Sequence, residues 1–282
     1  MFTRRLLLQG GSLAALAALA PATAQAAPRA DLWPRWQAHD PASRTTVDHS
    51  PWAAFLNTYR HVDPQGVARI DYKGAQAAMS GLQSYLEELS AVPVSQLNRD
   101  EQFAYWANLY NALTVVTILS HYPVETIRDI DISDGLFANG PWGAELVTVE
   151  GQPLTLDDIE HRIMRPIWRD PRVHYAVNCA AVGCPSLLAA PFTAATLDQQ
   201  LEAGARDFIN HPRGARVENG RLYVSSIYDW FESDFGGSDK GVIHHLSQYA
   251  KPPLAAQLEG ITRISGDDYD WDLNDWTPAR GS

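Results

Sequence analysis

Apolar side chains recur at helical spacing along six stretches of this chain. Trp52, Phe55, Leu56 and Tyr59 share one face from Pro51 onward; Met79, Leu82, Tyr85, Leu86 and Leu89 do so over 74–89, and Leu197, Leu201, Ala205 and Phe208 over 196–211, as amphipathic helices require. A shorter helix over 156–166 starts at a Thr155-x-x-Asp158 capping signal and turns Leu156, Ile159 and Ile163 inward, and a last helix is predicted near 241–258. The stretch 102–120 is different. After an Asn98-x-x-Glu101 cap it is apolar almost all round, which predicts a central, buried helix whose polar residues need partners.

Strand signals are shorter. Residues 68–72 read as one strand, 145–154 as a hairpin turning at Glu150-Gly151, and Asn219-Gly220 between 215–218 and 221–225 is the strongest hairpin signal of the chain. The run Val173-His174-Tyr175-Ala176-Val177, leading to Gly183 and Pro185, predicts a core strand that delivers reactive side chains into a turn. Residues 27–50 lack a period and form an extended lead-in, with Trp33 and Trp36 packing on the body, and 129–143 reads as a loop. These elements specify an α+β class, helices packed around a small antiparallel sheet, as one domain over 51–282 with no internal repeat or low-complexity linker.

The first residues change the expected location. Arg4-Arg5 precedes an apolar run and the small-x-small pattern Ala24-Gln25-Ala26, so 1–26 is expected to be a twin-arginine signal peptide directing the protein to the periplasm or outside the cell. Its apolar run, 13–20, is well short of the roughly 20 residues that span a bilayer, and no integral membrane segment is expected after its removal. That removal takes two arginines and no acids, moving the formal charge from -11 to -13. Without clustered Lys and Arg, nucleic acid is excluded as a partner. Since the twin-arginine route carries folded proteins, a disulfide is not required to reach the native state.

Candidate chemistry concentrates in 170–187, which holds both cysteines and His174. Three readings of Cys179 and Cys184 stand side by side: a thiolate nucleophile activated by an imidazole, a disulfide contributing roughly 2 kcal/mol across so short a loop, or two inert buried thiols. On a straight strand His174 and Cys179 face opposite sides, so a Cys-His pair needs a bulge or a second histidine such as His161. Asp157, His161 and Arg165, spaced four apart, read first as a solvated ion-pair row. Asn108 and Asn111 share a helix face and either tie down loop backbone or point an amide into a site. Among the acids of 227–235, Asp229, Glu232 and Asp234 either form a solvated acidic face, the first reading, or supply one carboxylate that orients a histidine. No cofactor is indicated, and the cysteine and histidine spacing lacks the paired C-x-x-C of structural zinc, so no metal is expected.

The motif 104–114, the helix 156–166, the stretch 170–185 and the closing Tyr269-Asp270-Trp271-Asp272-Leu273-Asn274 together resemble the domain of unknown function 547 (DUF547) family, over about 52–274. That family is in turn similar to papain-like and transglutaminase-like cysteine enzymes. The resemblance implies a cysteine hydrolase or acyl transferase acting on an amide or ester of a small-molecule or peptide substrate, with Cys179 as nucleophile, His174 or His161 as base, Glu160 or Asp229 as orienting acid, and Asn108 or Asn178 at the oxyanion or histidine. Those enzymes begin a central helix with the nucleophile, whereas the helix from Gln102 holds no cysteine. The alternative is a non-catalytic binding module in which Cys179 and Cys184 are bridged and the aromatic loops around Trp142 and Trp230 hold a ligand or partner.

Overall fold

A computed structural model of the chain describes residues 28–134 and 140–277. The expected signal peptide therefore lies outside the described residues, as does part of the 129–143 loop. Helix α1 (Ser50–Tyr59) buries Trp52, Phe55 and Leu56 as its spacing predicts, and leads into a hairpin of β1 (Arg60–Val62) and β2 (Ala68–Ile70). Asp63 shapes the turn by accepting from the backbone of Gln65 and Val67 at 3.0 and 2.9 Å. After the short α2 (Tyr72–Ala75), α3 (Met79–Ser90) packs Leu82, Tyr85 and Leu89 inward.

Helix α4 (Arg99–His121) is the axis of the fold. Asn98 caps it by accepting from the Glu101 amide at 3.0 Å, and every residue from Glu101 to Leu119 except Val116 is buried. A hairpin of β3 (Val147–Val149) and β4 (Gln152–Leu154) follows. The Thr155 hydroxyl and Asp158 carboxylate then exchange bonds with each other's backbone amides at 2.9 and 3.1 Å. The helix they open is a π-helix over Asp158–Met164, running into α5 (Arg165–Trp168). Such widened turns gather where side chains must be re-aimed. Here His161 and Arg165 point inward, to 6% and 5% exposure, which corrects the expected solvated row; only Asp157 stays half-exposed, at 43% for its side chain.

The expected core strand is also corrected. Pro171–Tyr175 is a 3-10 helix. Pro171 presets its backbone and Asp170 caps it by accepting from the Arg172 amide at 2.8 Å, so local turn chemistry outweighs the alternating pattern. Beyond it come α6 (Leu197–Ile209), β5 (Ala215–Glu218), β6 (Arg221–Ser225), α7 (Ile227–Trp230), α8 (Asp239–Tyr249), α9 (Pro252–Leu258) and β7 (Ile264–Asp268). The predicted last helix is thus two, broken at Lys251-Pro252. Strand β6 pairs antiparallel with β5 and parallel with β7, so that the α+β fold has, among the described residues, three small sheets rather than one. One core surrounds α4; a second lies between α6, the β5–β6–β7 sheet, α8 and α9. Among the described residues, no helix is long and apolar enough to cross a membrane.

Candidate functional site

The site is assembled by amides on the buried face of α4. Asn108 donates to the Phe192 carbonyl at 2.9 Å and accepts from its amide at 3.0 Å. Asn111 donates to the Ala176 carbonyl at 2.9 Å and accepts from the Asn178 amide at 2.8 Å. Both therefore tie down loop backbone. Asn178 closes the next loop, donating to the Pro185 carbonyl at 2.8 Å and accepting from the Ala180 amide at 2.9 Å; Ala180 there adopts a left-handed φ of 60°. The closing segment seals this loop from outside. Val182 and Gly183 donate to the carbonyls of Asp272 and Asp270 at 2.9 and 2.8 Å, and Asn274 donates to Ala180 at 2.9 Å. A Cβ on Gly183 would stand 2.8 Å from the Asp270 backbone nitrogen, so the approach requires glycine.

Inside this loop Cys179 and Cys184 form a disulfide. Cys179 is half-buried, whereas Cys184 is 4% exposed. The Cys179 amide donates to Cys184 Sγ at 2.9 Å, and the Tyr269 hydroxyl stands 3.0 Å from each sulfur. Desolvation raises the Tyr269 hydroxyl well above the usual phenol range, so it stays protonated. Around it Tyr269, Trp230 and Trp271 form a group with ring centroids 4.6 to 5.6 Å apart, and Trp142 meets Trp271 at 6.0 Å. Trp271 thereby joins the two aromatic loops that the sequence left separate. Arg128 lies 5.2 Å over its ring.

A charged cluster lies deeper. His174 is 3% exposed and stands between two carboxylates, with Nε2 2.8 Å from Asp234 Oδ2 and Nδ1 3.5 Å from Glu160 Oε1. Arg165 donates to the same Asp234 oxygen at 2.6 Å and to His161 Nδ1 at 3.0 Å. Phe231 covers the group, stacked on His174 at 4.4 Å with the Arg165 guanidinium 4.5 Å from its ring. Burial opposes the charge on His174, but its bonds to Asp234 and Glu160 outweigh that and raise its pKa. Burial likewise pushes Glu160 up, yet its cationic neighbours, among them His174 and Arg165, hold it down at about 2. His161 goes the other way: burial, with Arg165 alongside, brings it down to about 4, a neutral imidazole. Burial and the charges of Glu160 and Asp158 push Asp157 up to about 6.

The candidate residues therefore fall into three places. His174, Glu160 and His161 share the charged cluster, Cys179 belongs to the disulfide loop, and Asn108 and Asn178 hold backbone. Asp229 lies exposed; the acids that reach His174 are the expected Glu160, at 3.5 Å, and Asp234, at 2.8 Å. Among the described residues, neither sulfur has a hydrogen bond to a histidine, and no three His, Cys, Asp or Glu converge as a metal shell. Arg165 and Tyr269 join the site without a chemical motif in the sequence to mark them. The closing motif had singled out Tyr269, but nothing local showed that it reaches the sulfurs.

Residues 94–209 match the model of a family described as a protein of unknown function, DUF547. The central helix, the π-helical segment and the cysteine loop all lie inside the match, so the DUF547 resemblance holds for the part of the chain that builds the charged cluster's His174, Glu160, His161 and Arg165. Neither the curated proteins nor the solved structures contain a match.

Proposed function

We propose that this protein works by holding a ligand on the aromatic surface formed by Trp142, Trp230, Tyr269 and Trp271, rather than by thiolate attack on an amide or ester. The observation that carries this reading is that Cys179 is bonded to Cys184 while both ring nitrogens of His174 face carboxylates, which leaves this cysteine no thiolate and this imidazole no free ring nitrogen. Half-buried rings offer apolar faces for a small molecule or peptide with a flat surface, and Arg128 adds a cation at the edge. Location is part of the proposal: read as a twin-arginine signal, Arg4-Arg5 would direct the mature chain, from about Ala27, to the periplasm or outside the cell, and the N-terminus of protein recovered from those fractions tests it.

The binding reading is tested by tryptophan emission, since three of the four rings are indoles. Unreduced protein is titrated with a panel of peptides and small aromatic and saccharide ligands. A saturable change that weakens at least tenfold in Trp271→Ala is the expected result. Turnover of a chromogenic ester or amide by the unreduced protein, lost in Cys179→Ala, would overturn it in favour of the hydrolase.

A further inference from the structure

We infer that the Cys179–Cys184 disulfide is a thiol-exchange site, in which Cys179 is the electrophile and Cys184 the stabilised leaving group, acting on a dithiol substrate. The inference goes beyond ligand binding by the aromatic surface and does not rest on it.

The geometry is asymmetric in the way such chemistry needs. Cys179 is the half-buried residue of the pair, and Cys184 is buried at 4% exposure. A thiolate arriving from outside meets Cys179 first. The bond it breaks leaves negative charge on Cys184, whose Sγ alone accepts from the Cys179 amide, at 2.9 Å, and shares with Cys179 Sγ a Tyr269 hydroxyl 3.0 Å from each, free to turn to Cys184 once charge develops there. A preorganised donor pair aimed where charge develops favours that charge over its neutral precursor, and a stabilised leaving thiolate speeds exchange. Arg213 adds a positive charge behind the loop, donating to the Val182 carbonyl at 2.8 Å and to the Ser186 hydroxyl at 2.7 Å. The loop itself is pinned by Asn178 at one end and by the closing segment along its outer side. Cys184 is therefore held in place when the bond opens.

The step balances without a further reactant. One thiolate of the dithiol attacks Cys179 Sγ; a mixed disulfide forms, the Cys179–Cys184 bond breaks, and its electron pair goes to Cys184. The second thiolate of the substrate then attacks its own sulfur in the mixed disulfide and releases Cys179. The substrate is oxidised to a disulfide, the protein is reduced by two electrons, and the substrate's two protons end on the two cysteines.

The test uses the mature, unreduced protein with dithiothreitol at neutral pH, following free thiols by alkylation and mass spectrometry. The reference is the same protein unfolded in urea, where the bond is fully accessible. Reduction of the native protein at least as fast as that of the unfolded chain is the expected result; slower reduction means that the fold shields a structural cross-link, and overturns the inference. A brief reaction with glutathione, quenched with acid, should place the adduct on Cys179, and an adduct mainly on Cys184 reverses the assigned roles. Tyr269→Phe should slow reduction about tenfold, the scale of one hydrogen bond to a developing anion. It should also raise the pH at which the reduced Cys184 thiol alkylates; an unchanged profile removes Tyr269 from the mechanism.

Discussion

The two halves of the stretch 170–187 end in opposite environments. Its first half turns His174 into a buried cluster where every charge is answered: two carboxylates, an arginine and an aromatic lid, with both imidazole nitrogens used. Its second half leads to the half-buried Cys179, in a disulfide beside a group of half-buried aromatic rings. Buried, mutually satisfied charges specify structure, because removing one strands the others away from water. A half-exposed reactive group beside unfilled apolar faces is where binding and chemistry are sought. Perturbed titration does not separate the two halves, since Glu160 and His161 are shifted in the cluster and burial also raises the Tyr269 hydroxyl beside the sulfurs.

The sharpest way to break this contrast is His174→Ala. It leaves Glu160 and Asp234 facing one another's charge without their shared partner, and an expected loss of about 3–5 kcal/mol is read from urea denaturation; a loss under about 1 kcal/mol would mean the cluster is not structural. Asn108→Ala comes next. It strands the buried amide and carbonyl of Phe192, for an expected loss of about 2–3 kcal/mol, whereas an unchanged midpoint would reopen the reading of Asn108 as a site amide. Replacing both cysteines by alanine should cost less, about 2 kcal/mol, as expected for so short a closed loop.

Acid should act through the buried, neutral imidazoles, one in the charged cluster and two elsewhere in the core. His161, His49 and His245 are each brought down by burial from 6.5 to about 4. A histidine with a depressed folded pKa contributes stability that is present above 6.5 and is lost as pH falls through about 4. His174, raised, has the opposite sign: its contribution is complete below 6.5 and fades as pH rises through its folded value. Urea midpoints should accordingly drop between pH 6.5 and 4, and a flat profile across that window would show the three imidazoles to be solvated. Asp229→Ala should have the smallest effect, within about 0.5 kcal/mol. A large change there would restore Asp229 as the orienting acid in place of Asp234.

Periodicity and capping were legible because they are local. The Asn98 cap, the buried length of α4, the Thr155–Asp158 box and the Asn219-Gly220 turn each depend on residues within one turn of one another, and all stand in the structure. The cysteine pair, six residues end to end in the sequence, was among the readings that spacing permits. Less local features were not legible. Whether His161 faced water depended on a π-turn and on the elements packed against it. Over 171–175 two local signals competed, the Asp170-Pro171 start and the alternating pattern, and the start prevailed.

By itself, then, the sequence determined the class of the fold, its central helix and the stretch where the cysteines lie, since these follow from short-range sterics and hydrophobic period. Only the tertiary structure decided which acid meets His174, that Tyr269 reaches both sulfurs, and that Trp142 and Trp230 are joined through Trp271. Those contacts link Asp234 to Arg165 and Tyr269 to Cys179 across long spans of chain. Their partners are chosen by how α4, the π-helical segment and the closing strand-like segment pack together, and no local pattern carries that choice.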